Sequence, residues 1–195
     1  MINEMKKTNN IKIWIIIVLI LSIIALSWAF YSQLKQSKKI EEEIKLNIVV
    51  GIKELESNLH PVIGSLDTEV SSRAWVEING STSNVLQNIS LLLEYDNLSE
   101  YEHRILNSMD ITFRNFKYFV MRSHNLLFGI KEPFELSPCG KVTISTSEDV
   151  HTKFSEYYKL FNIFEPLERD MDKIYDETIS RWDTDLAYSL NSCDN

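Results

Sequence analysis

Between Ile13 and Phe30 the chain is apolar almost without interruption and carries no charge. As a helix this run spans roughly 27 Å, close to the ~30 Å hydrocarbon core of a bilayer. Trp14 stands at one end and Trp28, Phe30 and Tyr31 at the other, where amphipathic rings favour the headgroup boundary. Beyond Tyr31 the pattern changes to helical periodicity. Ile40, Ile44, Ile48, Ile52, Leu55 and Leu59 predict a first helix that continues out of the apolar run and stops near His60–Pro61. Val70, Ala74, Ile78, Val85, Ile89 and Leu92 predict a second, starting near Asp67 and weakened by roughly 1 kcal/mol at Gly80.

Ser99 and Glu102 have the spacing of a capping box and open a third helix, which carries Tyr101, Ile105, Met109, Phe116, Phe119, Val120 and Leu127 and ends at Gly129. Residues 131–147 form the one substantial loop, with Pro133, Pro138 and Gly140, and with a short extended piece at Val142–Thr146. A last helix opens near Ser147, with Ser145 and Glu148 at capping-box spacing, and runs to about Leu190. Its apolar phase continues across Pro166, which predicts a kink there and not a reversal. Each of the first three helices is roughly 43 Å long, and similar lengths joined by short turns suit an antiparallel bundle. The expected fold is therefore all-α: an amino-terminal transmembrane helix continuing into an antiparallel, up-down-up-down four-helix bundle. Residues 1–10 form a short cytoplasmic tail, 11–31 the transmembrane signal-anchor helix, and 32–195 the bundle domain.

Composition sharpens this picture. The net charge is -8, and because Lys6, Lys7 and Lys12 precede the bundle against Glu4 alone, the remainder carries about -10 by subtraction. So acidic a surface repels nucleic acid and anionic lipid headgroups, and no nucleic-acid partner is expected. Five glycines and four prolines are too few for the turns of a β-sandwich. The apolar run has two readings. As a cleaved signal peptide it would use Lys6 and Lys7 as its basic region and Ser27-Trp28-Ala29 as its processing site. As an anchor it has the greater length, aromatic residues at both ends and no breaker before the following helix, and the anchor is the favoured reading. Lysines flank both ends, so sidedness rests on the tendency of long domains to translocate regardless of charge, which places the domain outside the cytoplasm.

Candidate chemistry is sparse. Glu100–His103 and Glu148–His151 have the Glu-x-x-His spacing of ferritin-like di-iron bundles. They open consecutive antiparallel helices, which puts them some 40 Å apart, and acids at helix starts already follow from the macrodipole. No metal or cofactor is expected. Cys139 and Cys193 flank the last helix, and a disulfide would require the chain to fold back at Pro166 or the loop to run far down the bundle; two unpaired thiols or an intermolecular bridge are the alternatives. Asn79, Asn88 and Asn97 begin Asn-x-Ser sequons that chance explains in a chain this rich in Asn and Ser. One surface feature is more suggestive. Arg104, Arg114, Lys117 and Arg122 fall within roughly 140° of arc on the third helix, opposite its apolar stripe, with Asn107, Tyr118 and Asn125 beside them. These four cations are the candidate partner-binding residues; the alternative is a solvated face paired with acids of adjacent helices.

The expectation is a non-enzymatic, single-pass membrane protein whose bundle binds a protein partner, with self-association as one form of that. The plan resembles the extracytoplasmic sensor bundles of bacterial chemoreceptors. No motif carries the likeness, and neither a second transmembrane segment nor an output domain is visible in the sequence. Two alternatives remain open at this point. The aromatic residues Trp75, Phe116, Phe119, Tyr157, Phe161 and Trp182 could line a small-molecule cavity, as in a ligand-binding sensor. The domain could also lie in the cytoplasm as a membrane-tethered adaptor.

Overall fold

The apolar run and the helical periodicity that follows it form one uninterrupted helix, α1 (Ile2–Ser65). The computed structural model describes residues 2–65, 72–95, 97–129, 132–136, 142–163 and 171–191. Five further helices follow among them: α2 (Ser72–Leu93), α3 (Glu100–Phe128), α4 (Ser147–Phe161), α5 (Met171–Arg181) and α6 (Thr184–Asn191). Among the described residues the strand content is a two-residue ladder, β1 (Phe134–Glu135) antiparallel to β2 (Thr143–Ile144), with Phe134 opposite Ile144. The chain divides into two compact units, Met1–Glu42 and Glu43–Asn195.

The first unit is the early part of α1. An 18-residue window in it has a mean hydropathy of 2.0 with none of it buried, so this helix is long and apolar enough to cross a membrane. Trp14, Trp28, Phe30 and Tyr31 are all exposed. Ser22 donates its hydroxyl to the Val18 carbonyl at 2.9 Å, which satisfies it within the helix. That arrangement suits a lipid surround, where no water is present to do so.

The second unit has the core. Ile44, Ile48, Ile52, Leu55 and Leu59 of α1 are buried, whereas Ile40 is 43% exposed. α1 also passes the expected stop at Pro61 and reaches Ser65. A proline so near the helix end forfeits one backbone bond, and the burial of Val62 favours the extra turn. Gly51 is where α1 meets α2: a Cβ there would stand 2.6 Å from Val85 Cγ2. Gly51→Ala is therefore expected to lose about 1 kcal/mol net, because overpacking at ~1–3 kcal/mol exceeds the ~1 kcal/mol gained in helix propensity. In a Val85→Ala background the same change should turn neutral or stabilising; chemical denaturation of the four variants checks the sign. Further along the same pair of helices, Asn58 Nδ2 donates to Ser81 Oγ at 3.3 Å.

α3 is the central element. Its capping box forms as expected: the Glu102 amide donates to Ser99 Oγ at 3.2 Å and the Ser99 amide to Glu102 Oε2 at 2.9 Å. Gly129 ends it at φ 140°, a conformation that side chains rarely adopt. The buried face is wider than the expected stripe, because Leu106, Thr112, Phe113, Ser123 and Leu126 join it while Tyr101 stays exposed. Its rings meet those of α4 in reverse order along the two helices: Phe113 with Phe161 at 4.9 Å, Phe116 with Tyr157 at 4.8 Å, and Phe119 with Phe154 at 4.7 Å.

The single long last helix expected from Ser147 to about Leu190 is corrected to three. α4 ends at Phe161, and a second break falls at Trp182–Asp183. There Asp183 Oδ1 accepts the Leu186 amide at 2.8 Å, which starts α6 afresh in preference to prolonging α5. Pro166 lies outside the described residues.

The box that opens α4 also sits one residue later than expected. The Asp149 amide donates to Thr146 Oγ1 at 3.1 Å, and the Ser145 and Thr146 amides donate to Asp149 Oδ2 at 2.9 and 2.8 Å. Asp149 wins over Glu148 because its short carboxylate reaches two amides at once. These bonds pull its pKa from the ordinary 3.8 to about 2. Its folded value lies below its unfolded one, so its contribution is complete above about pH 4 and is lost as pH falls through 2. An NMR titration should find the Asp149 midpoint near 2, and Thr146→Ala should lift it towards the ordinary value.

Candidate functional site

α3 places the four candidate cations on its outer surface, but the structure gives them different neighbours. Arg104 lies over the Tyr101 ring at 5.7 Å from its centroid. Arg122 lies over two rings, Tyr118 at 5.9 Å and Phe134 of β1 at 5.7 Å. Such cation–π contacts hold a guanidinium plane while leaving its N–H groups available. Arg114 is instead gripped by Asp110, one turn earlier, through two bonds of 2.7 and 2.9 Å. That hydrogen-bonded carboxylate and its charge raise the Arg114 pKa. Lys117 is half-buried.

The stripe therefore divides. Arg104 and Arg122 are eighteen residues apart, five full turns, and share one line along α3; Arg114 and Lys117 lie roughly 80° and 140° around the helix from it. Asn107 and Asn125 are exposed, and Asn107 Nδ2 is 2.7 Å from His103 Nδ1. The grip of Asp110 on Arg114 was visible in the sequence as an i,i+4 pair. The Phe134 ring under Arg122 was not, since only the return of β1 onto α3 brings it there.

Burial pushes the Glu102 carboxyl up, but its bonds from Ser99 and the Lys45 ammonium 3.8 Å away outweigh that and hold it below the usual range. Lys45 also lies 5.0 Å from the Tyr175 ring centroid, so α1, α3 and α5 converge at this point.

The other candidates resolve as follows. Among the described residues no group of three His, Cys, Asp or Glu side chains could hold a metal ion. Of the aromatic residues proposed as a cavity wall, Phe116, Phe119, Tyr157, Phe161 and Trp182 are linked by ring contacts, Trp75 meets Phe154 instead, and Trp182 stacks on Phe113 and Phe161 at 6.0 and 6.4 Å. The Tyr157 hydroxyl is deeply buried, which pushes its pKa far above the ordinary phenol range, so it stays neutral. Asn88, one of the sequon residues, is buried and donates to the Asn84 carbonyl at 2.8 Å, which leaves no room for a glycan. Cys139 and Cys193 lie outside the described residues.

No known protein family, curated protein or solved structure matches this chain.

Proposed function

We propose that this protein is a single-pass, membrane-anchored binding module without enzymatic activity, acting outside the cytoplasm through a protein partner docked on α3. Residues 11–31 anchor it, and the later part of α1 with α2, α3 and α4 makes the antiparallel, up-down-up-down four-helix bundle. The meeting of Gly51 with Val85 and Asn58 with Ser81 supports that topology, as does the reversed ring order between α3 and α4. α5 and α6 close the bundle beside α3, where Trp182 Nε1 donates to Ser108 Oγ.

The observation that carries the reading is the cationic face of α3, with Arg104 and Arg114 exposed and Lys117 and Arg122 half-buried, on a chain of net charge -8. A small patch of the minority sign fixes where and in which orientation an acidic partner docks. Reversing Arg104, Arg114, Lys117 and Arg122 together to glutamate is expected to abolish association in membranes while leaving the helix content intact, since exposed charges contribute only ~0–1 kcal/mol each to folding. In the unaltered protein, association should weaken as salt shortens the ~10 Å screening length. Pull-down of the full chain from crosslinked membranes at two salt concentrations measures both. Unchanged recovery would sink the proposal. Thiol labelling of Cys139 and Cys193 in intact cells decides the side of the membrane.

A further inference from the structure

α3 carries a second rhythm beside its core stripe. Arg104, Ser108, Ile111, Asn115, Tyr118 and Arg122 recur at alternating spacings of four and three, which is the seam of a left-handed coiled coil. Among the described residues this seam borders two hollows, and at Ser108 it also meets Trp182 of the core. One, of about 450 Å³, has α6 as its far wall through Thr184, Tyr188 and Asn191. The other, of about 600 Å³, has residues 133–136. Between them Asn115 Nδ2 donates to Asn191 Oδ1 at 2.7 Å. Large apolar side chains border the two hollows at partial exposure: Ile111 is 54% and Tyr118 44% exposed on α3, and Tyr188 62% on α6.

Resting on the reading that the domain works through a protein partner, we propose that this seam receives one amphipathic helix of another protein, with apolar side chains against Ile111, Tyr118 and Tyr188 and carboxylates at its two ends against Arg104 and Arg122. Three features select that occupant. Both α3 and the α6 wall offer positions at four-and-three spacing, the grooves into which helix side chains pack. The two arginines are five turns apart, roughly 27 Å, and each is held by tyrosine, so little freedom is lost when a carboxylate binds. Asn115 and Asn191 already satisfy each other between the two hollows, so covering the apolar positions beside them leaves no amide there unpaired. A second copy of this chain is one of the outcomes of the test. Arg114 and Lys117 lie on the flank and contribute little.

The test places a photo-crosslinking phenylalanine analogue at Ile111 or Tyr118, with Lys117, Asn84 and Gln87 as comparison positions, in the full chain in its own membranes. The adducts are sequenced. From Ile111 and Tyr118 they should reach one segment of a different protein, helical in period, with acidic residues about five turns apart. Arg104→Glu with Arg122→Glu should cut these adducts at least tenfold, and reversing the two partner acids to arginine should restore them. Arg114→Glu with Lys117→Glu should change them less than threefold. Arg104→Gln with Arg122→Gln gives the same readout if the reversal disturbs folding. Adducts from Lys117, Asn84 or Gln87 alone would overturn the groove and leave the partner-docking function standing. Adducts to a second copy, or to a segment without the paired acids, would also overturn it. No adduct from any position would remove both proposals.

Discussion

Replacing Trp182 with alanine should cost the domain about 3–5 kcal/mol, a large share of the ~5–15 kcal/mol that holds a domain folded. The residue occupies the break between α5 and α6, is only 4% exposed, and joins three parts of the second unit. Its ring stacks on Phe113 of α3 and Phe161 of α4, and its indole N–H donates to Ser108 Oγ at 3.2 Å. Alanine removes the ring contacts and leaves a void that the neighbouring phenylalanines cannot fill by rotating, because they are stacked on each other. Ser108→Ala should cost only about 1 kcal/mol, the net worth of a neutral hydrogen bond. A double-mutant cycle on Trp182 and Ser108, followed by urea unfolding of the full chain, separates the two contributions. A total loss below about 1 kcal/mol would put the ring on the surface.

The second large effect concerns the first unit. Twelve Ile, Leu, Val and Phe residues between Ile13 and Phe30 favour insertion by about 4–7 kcal/mol in total, on a scale of ~0.3–0.6 kcal/mol each. One arginine near the centre opposes this by about 2.5–3.5 kcal/mol. Leu21→Arg alone should therefore leave much of the protein in the membrane. Leu21→Arg with Ile24→Arg opposes insertion by about 5–7 kcal/mol and should release most of it, while Leu21→Ala with Ile24→Ala should stay. The alkali-resistant membrane fraction reports the difference. Retention of the double arginine variant at the normal level would mean that the run does not cross the bilayer.

Helix positions were largely legible because amphipathic periodicity is a local property. The stripe of Ile44, Ile48, Ile52, Leu55 and Leu59 marks its own buried face, and Ser99 with Glu102 caps α3 using only residues within one turn. The last quarter was less legible. The phase of Phe154, Tyr157, Phe161, Ile174 and Trp182 suits one long helix as well as three, and periodicity does not register where a helix stops and restarts. The new start at α6 depends on Asp183 accepting a single amide. That Thr146, and not Ser145, caps α4 was likewise a competition between adjacent residues that differ little in propensity.

By itself the sequence determined the helical class, the apolar amino-terminal helix, the acidic surface and the residues able to form a core, because all of these follow from composition and from spacing along one helix. Tertiary structure alone decided what Arg122 and Asn115 meet beyond their own helix. The pairing of Arg114 with Asp110, of Arg104 with Tyr101 and of Arg122 with Tyr118 is local to α3. Only the return of β1 puts Phe134 under Arg122, and only the packing of α6 sets Asn191 against Asn115. Those partners lie twelve and seventy-six residues away along the chain. No helical period relates residues so far apart; only the closure of the intervening chain brings them together.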